Sequence, residues 1–417
     1  MVIKTNVNLI TAIDNLVAVV TDRLLSEDIK NIIFKVGADS SVHVAAYSTS
    51  VICYAEIEGA EVDWENETPT EQYFQTKAEL IKLLNVYRSL SRTILDTIEI
   101  IPSGAYVTLK IHEISKDENH PEFDKISKHR LASPALKSGI QAQLEKYNLD
   151  FTGTTVSATD FMVYLDALIP TIPPEARDNT ISSKITFTAE KIYTAPSLFF
   201  ALLDNKLDPV CSDFMLTLTS AKFLKVFLAQ SETCEVEKDV SPSAVILKIR
   251  CGSSIAVIHA LSLKSAIDYT PYAQHSRTGI VLDKKYMQDV MKRATLDSDV
   301  CNVKVTITGT SATCSFATRS WCQDLAVLKS RLDPTEFGAD YIKTAADGSK
   351  SIDIAFSIRP DILAKLIMTH ASNFNDLVFL YFEPSGSNGF KMSASDNTCF
   401  WQTKINTLSS AKAEVLI

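Results

Sequence analysis

Apolar positions along this chain switch repeatedly between a spacing of two and a spacing near 3.6, the periods of strands and helices. The clearest unit spans residues 353–407. Ile354-Ala355-Phe356-Ser357-Ile358 alternates as a half-buried strand does. Arg359-Pro360-Asp361 predicts a helix start, because proline fits a first helical turn and an acidic side chain there meets the positive end of the helix dipole. Ile362, Leu363, Leu366 and Ile367 form that helix's apolar stripe, with Asp361, Lys365 and Thr369 on the other side. Strand-like runs at 377–383, 389–395 and 399–405 follow, separated by Gly, Ser, Asn and Asp turns.

Five looser copies precede this unit. Residues 8–25 carry a stripe of Leu9, Ile10, Ile13, Leu16, Val17 and Val20, followed by strands at 31–36, 41–48 and 51–57. A strand at 72–75 leads into a helix with Leu80, Ile81, Leu84 and Tyr87 inward, then strands at 97–101 and 105–114. Residues 115–147 read as a long polar loop, a candidate edge strand near 123–131 and a linker. In the middle third, Val156 leads to a helix with Phe161, Met162, Leu165 and Leu168, which Pro170, Pro173 and Pro174 end. Strands at 184–188, 191–194 and 198–203 come next. A strand at 214–218 enters a helix with Phe223, Leu224, Phe227 and Leu228, then strands at 244–250 and 254–261. After a second linker at 268–272, a strand at 278–282 enters a helix with Tyr286, Met287, Val290 and Met291, followed by strands at 302–307 and 311–317.

Helix starts thus recur at intervals of roughly seventy residues, the signature of an internal repeat. Chance alternation in an α+β protein would explain any one unit. Six in series, pairing into three similar thirds, favour repetition. The predicted class is α+β, with domains at 1–140, 141–272 and 273–417.

Composition narrows the function. With 417 residues, 46% hydrophobic and 22% charged, the chain reads as a soluble globular protein, and no apolar run approaches the roughly 20 residues of a membrane span. The N-terminal residues lack a secretory pattern, so an internal compartment is expected. Eight cysteines without a close pair fit reduced, buried thiols better than a disulfide frame or a zinc site. A net charge of −9 argues against a wholly basic nucleic-acid binder but permits a local basic surface.

The predicted helices carry that surface. Lys77, Lys82, Arg88 and Arg92 lie off the apolar stripe of the second helix, and Lys222 and Lys225 off that of the fourth. The fifth adds Lys284, Lys285, Lys292 and Arg293, and the sixth Arg359 and Lys365. The first and third instead carry Asp14, Asp22, Asp160 and Asp166. Any one of these lysines reads as ordinary solvation of a helix. Gathered on one lining, they would hold phosphates without reading sequence.

At this point the chain resembles the bacterial-type sliding clamp, the DNA polymerase III beta subunit-like processivity factor. The resemblance covers nearly the whole chain and rests on architecture more than on a signature motif. Its local carriers are Asn31-Ile32-Ile33-Phe34-Lys35-Val36 with the following hairpin, Val290-Met291-Lys292-Arg293-Ala294-Thr295-Leu296 before the 303–307 strand, and the terminal unit from Ile354 to Leu408. It implies a DNA clamp fold of three similar domains, each of two strand-helix-strand-strand-strand halves, and a head-to-tail homodimer closing a ring around duplex DNA. Ile126 on the edge strand, Thr295 and Leu296 would lie at the dimer contact. A partner-peptide cleft would include Leu198, Phe199, Pro271, Tyr272, Ile405 and Leu408. Implied partners are double-stranded DNA, a DNA polymerase, a clamp loader and a second copy, in the cytoplasm at replicating DNA and without cofactor. Extended loops at 116–128 and 333–350 and a tail at 409–417 depart from the usual pattern, as in a divergent, even viral, member.

Enzymatic readings fit less well. His112, Glu113, His120, Glu122 and His129 have no metal-ligand spacing, and Asp63, Glu65 and Glu67 around Trp64 fall in a hairpin loop. No phosphate-binding G-x-x-x-x-G-K-[ST] loop or nucleophile elbow is present. Three readings stand: a ring-shaped clamp, a monomeric clamp-like DNA-binding subunit, and an enzyme built on the histidine-containing loop.

Overall fold

The computed structural model describes residues 1–14, 16, 31–48, 50–65, 67–146, 152–172, 183–195, 201–241, 244–270, 276–309, 311–360, 377–385, 389–395 and 405–406. They form five sheets, antiparallel at every strand pair among the described residues. The chain divides into two compact units, residues 1–159 with 223–261, and 160–222 with 262–417.

The first unit holds two sheets. One has the order β5-β1-β7-β8-β9, with β1 at Val2–Thr5, β5 at Glu61–Asp63, β7 at Thr93–Ser103, β8 at Tyr106–Ser115 and β9 at Lys125–Ala132. The other has eight strands in the order β10-β15-β16-β17-β4-β3-β2-β6. Here β2 is Asn31–Val36, β3 Val42–Tyr47, β4 Val51–Glu56, β6 Gln72–Lys77, β10 Thr154–Ser157, β15 Thr233–Val240, β16 Val245–Cys251 and β17 Ser254–Ala260. The β4–β17 pairing, with Ile52 opposite Val257, joins strands some two hundred residues apart into one ladder. Gly104 and Gly252 turn the β7–β8 and β16–β17 hairpins at φ of 58° and 57°, the left-handed region where a Cβ is costly.

The second unit holds three sheets. β13-β12-β11-β14 comprises β11 Lys184–Phe187, β12 Lys191–Thr194, β13 Ala201–Asp204 and β14 Phe214–Thr217. β22-β18-β25-β26-β27 comprises β18 Gly279–Asp283, β22 Val327–Arg331, β25 Leu377–Ser385, β26 Gly389–Ser395 and β27 Ile405–Asn406. β21-β20-β19-β24-β23 comprises β19 Cys301–Thr308, β20 Ser311–Ala317, β21 Cys322–Leu325, β23 Ile342–Thr344 and β24 Lys350–Ile358.

Six α-helices are described: α1 Asn8–Asp14, α2 Glu79–Val86, α3 Ser138–Glu145, α4 Ala158–Leu168, α5 Leu218–Leu228 and α6 Lys284–Asp297. Their apolar stripes are buried as the periodicity predicts, through Leu80 and Leu84 of α2, Phe161 and Leu165 of α4, Leu224 and Phe227 of α5, and Met287, Val290 and Met291 of α6. In the second unit Phe161 meets Phe187 edge-on at 5.5 Å, and Phe187 stacks on Phe214 at 4.8 Å. None of the seven described cysteines is in a disulfide, and six of them are buried. Among the described residues no helix is long and apolar enough to cross a membrane.

Three sequence expectations are corrected. The 115–147 stretch is not only loop and linker, since its end folds into α3. The predicted 123–131 strand begins two residues later, after a 3-10 turn at Pro121–Phe123. The 333–350 loop holds two 3-10 turns and strand β23, tied down where the Glu336 carboxylate accepts hydrogen bonds from Ser276 Oγ at 2.7 Å and from the amides of Arg277 at 2.6 Å and Thr278 at 3.0 Å. Strands β1, β5, β10, β15, β21, β22 and β23 lie outside the predicted runs, being short, polar or on sheet edges. The predicted helix that starts at Arg359-Pro360-Asp361 lies, from residue 361 on, outside the described residues.

Candidate nucleic-acid interface

Most of the candidate cations occupy helix positions off the buried stripe. Lys82 on α2, Lys222 and Lys225 one turn apart on α5, and Lys285, Lys292 and Arg293 on α6 are all exposed, as is Lys77 at the end of β6. The side chains of Lys77, Lys82, Lys222, Lys285 and Arg293 make no ion pair or hydrogen bond among the described residues. Lys292 sits 3.8 Å from Asp289, one turn back on its own helix, where both side chains are more than half exposed and the pair is weak.

Other cations are engaged. Arg88 belongs to a 3-10 turn at Tyr87–Ser89, and its guanidinium pairs with Asp14 of α1, so the acid of the first helix neutralises a cation of the second. The Arg92 guanidinium lies 5.2 Å from the centroid of the Phe123 ring, within cation–π range. Lys284 contradicts its prediction as a solvent-side residue: its exposure is 5%. The cause is helical phase, because Lys284, Met287, Val290, Met291 and Ala294 are the buried residues of α6 and lie on one stripe. Lys365 lies outside the described residues.

The candidate dimer residues are placed on two elements. Ile126 stands 64% exposed on β9, the edge strand of its sheet, and Leu296 stands 90% exposed in the last turn of α6 beside exposed Thr295. The end of α6 is fixed by Asp297, which accepts hydrogen bonds from the hydroxyls of Ser320 and Thr318. Those bonds, Ser320's first, hold its carboxyl below the usual range. Sequence reasoning passed over Lys128 and Arg130, which share the exposed face of β9 with Ile126. Arg130 lies 3.7 Å from the centroid of the Tyr106 ring. The alternation in Lys125–Ala132 was the signal that could have found them. Of the cleft candidates, Leu198, Phe199, Pro271, Tyr272 and Leu408 lie outside the described residues, and Ile405 opens β27 opposite Met392.

The candidate metal residues do not converge. The β8–β9 register pairs His112 with Ile126 and Leu109 with His129, putting the two histidines on opposite faces. His129 Nε2 is 2.8 Å from the Tyr87 hydroxyl, and His120 Nδ1 is 2.7 Å from Glu122. Buried Glu113 accepts from Thr93 Oγ1 at 2.7 Å and faces Lys125 at 3.2 Å. Trp64 Nε1 donates to Ser40 Oγ, fixing the acidic loop around it as a turn.

The fold has close counterparts among solved structures. The DNA polymerase sliding clamp of Bacillus subtilis superposes with a TM-score of 0.69 over 98% of this chain and 99% of that one, at 11% identity. The chain has the sliding-clamp fold. The sliding clamp of Caulobacter crescentus matches with a TM-score of 0.69, 13% identity and coverage of 98% and 99%. For the DNA polymerase III beta subunit of Thermotoga maritima the values are 0.64, 11%, 97% and 99%. No family model and no curated protein matches the chain. The clamp fold is thus matched at near full length at 11–13% sequence identity.

Proposed function

We propose that the chain is a sliding clamp, a nonenzymatic DNA polymerase processivity factor that encircles duplex DNA. The observation that carries this is a clamp fold over 98% of an acidic chain whose exposed, unpaired cations recur on helix faces. Three repeats, at 1–140, 141–272 and 273–417, would make each protomer, and two protomers would close head to tail through the β9 edge around Ile126 and the α6 end at Thr295 and Leu296. A closed ring holds DNA topologically, so its attraction for phosphates can stay weak and sequence-blind, and the ring slides. Lys77, Lys82, Lys222, Lys225, Lys285, Lys292, Arg293 and Lys365 supply that attraction in this reading. A cleft with Leu198, Phe199, Pro271, Tyr272, Ile405 and Leu408 would take peptides of the polymerase and loader, in the cytoplasm at replicating DNA.

The test is retention on DNA. Protein loaded on a closed circle should stay bound at raised salt and leave once the circle is cut. Equal loss from intact and cut circles would sink the reading. Native mass separates the dimeric ring from a clamp-like monomer.

A further inference from the structure

The 134–146 segment between the first two predicted repeats crosses a sheet face, and its contacts exceed what a connector needs. Leu144 is 1% exposed and belongs to a cluster with Ile33 of β2, Ala45 of β3, Ile52 and Tyr54 of β4, and Val257 of β17. Leu136 and Ile140 of the segment and Ile246 of β16 border the same cluster. Two polar side chains pin the ends. The buried Tyr54 hydroxyl donates to the Leu144 carbonyl at 3.0 Å, and Gln75 of β6 donates through Nε2 to the carbonyls of Pro134 at 3.1 Å and Ala135 at 3.0 Å. The anchors therefore fall on β16, β17, β4, β3, β2 and β6, six consecutive strands of the sheet order.

Within that series lies the β4–β17 pairing, where a strand of the first predicted repeat meets one of the second. Antiparallel strands so distant in sequence are held by their ladder and by whatever packs across both. The helix α3 packs across both. We propose that residues 134–146 form a strap that locks the β4–β17 seam, so that these strands stay paired when a clamp assembly opens and the opening is taken up elsewhere. Only the clause on opening rests on the clamp reading.

Hydrogen exchange of the full chain without DNA tests the lock. Two amides bracket the seam: His259 donates to the Ser50 carbonyl at 2.8 Å and Glu56 to the Ser253 carbonyl at 3.1 Å. Leu144→Ala should speed exchange at both by about tenfold while leaving the β19–β24 ladder of the other unit unchanged, and the milder Tyr54→Phe should act in the same direction. Seam exchange unchanged in both variants overturns the strap, as does equal acceleration of the β7–β8 ladder, which would mean general loosening. Seam acceleration in a protein that fails the DNA-retention test supports the strap and counts against the clamp reading.

Discussion

Removing the unpaired helix cations should change how DNA binding responds to salt, by an amount fixed by their number. Lys82, Lys222, Lys285 and Arg293 are exposed and have no ion partner among the described residues, so each is available to displace a counterion from duplex DNA. Each phosphate neutralised contributes about 0.9 to the slope of log K against log salt, so the Lys82→Ala, Lys222→Ala, Lys285→Ala, Arg293→Ala combination should flatten that slope by up to about 3.6. Over a fourfold rise in salt the wild type would then lose about 150-fold more affinity than the variant. Fluorescence anisotropy on a short duplex without a loader reads this directly. The matched control replaces Lys4, Lys304, Lys329 and Arg331 by alanine, which removes the same charge from exposed strand positions. Net charge alone would flatten both slopes equally. A helix variant with a slope no lower than the strand control's would refute the assignment of phosphate contacts to the helix faces.

Other consequences follow from single sites. Leu296→Asp or Ile126→Asp should turn the proposed dimer into a monomer by sedimentation without lowering the melting temperature, because both side chains are already in solvent in the protomer. Phe187→Ala should cost about 3–5 kcal/mol in denaturant unfolding, since Phe161 and Phe214 are both packed on that fully buried ring. On β17, burial first and the Lys146 charge second hold the His259 imidazole below 6.5, so the unfolded chain takes up that proton before the folded one. Its contribution to stability is whole above pH 6.5 and is lost as pH falls towards the lowered value, so His259→Gln should lose less melting temperature than wild type between pH 7.5 and about 5.5.

The alternation in 302–307 and the stripes of α2, α4, α5 and α6 were legible in the sequence, because period alone states which side of an element must leave water. That is why the α+β class could be read before any coordinate. Lys284 was misread for a reason contained in the same rule: its phase put it on the buried stripe, while its chemistry suggested solvent. The engagement of Arg88 with Asp14 was not legible, since the two are 74 residues apart and neither pattern points to the other.

The amino-acid order by itself determined most of the local elements and their polar and apolar faces, since each follows from neighbours within a turn or two of chain. Tertiary structure alone decided that β4 pairs with β17, that α3 covers an apolar face which periodicity had marked only as inward, and which cations keep their charge unpaired. A hydrophobic pattern specifies that a face must be covered. Which distant segment covers it is settled by the free energy of the whole chain, in shape and hydrogen bonds that no short window contains.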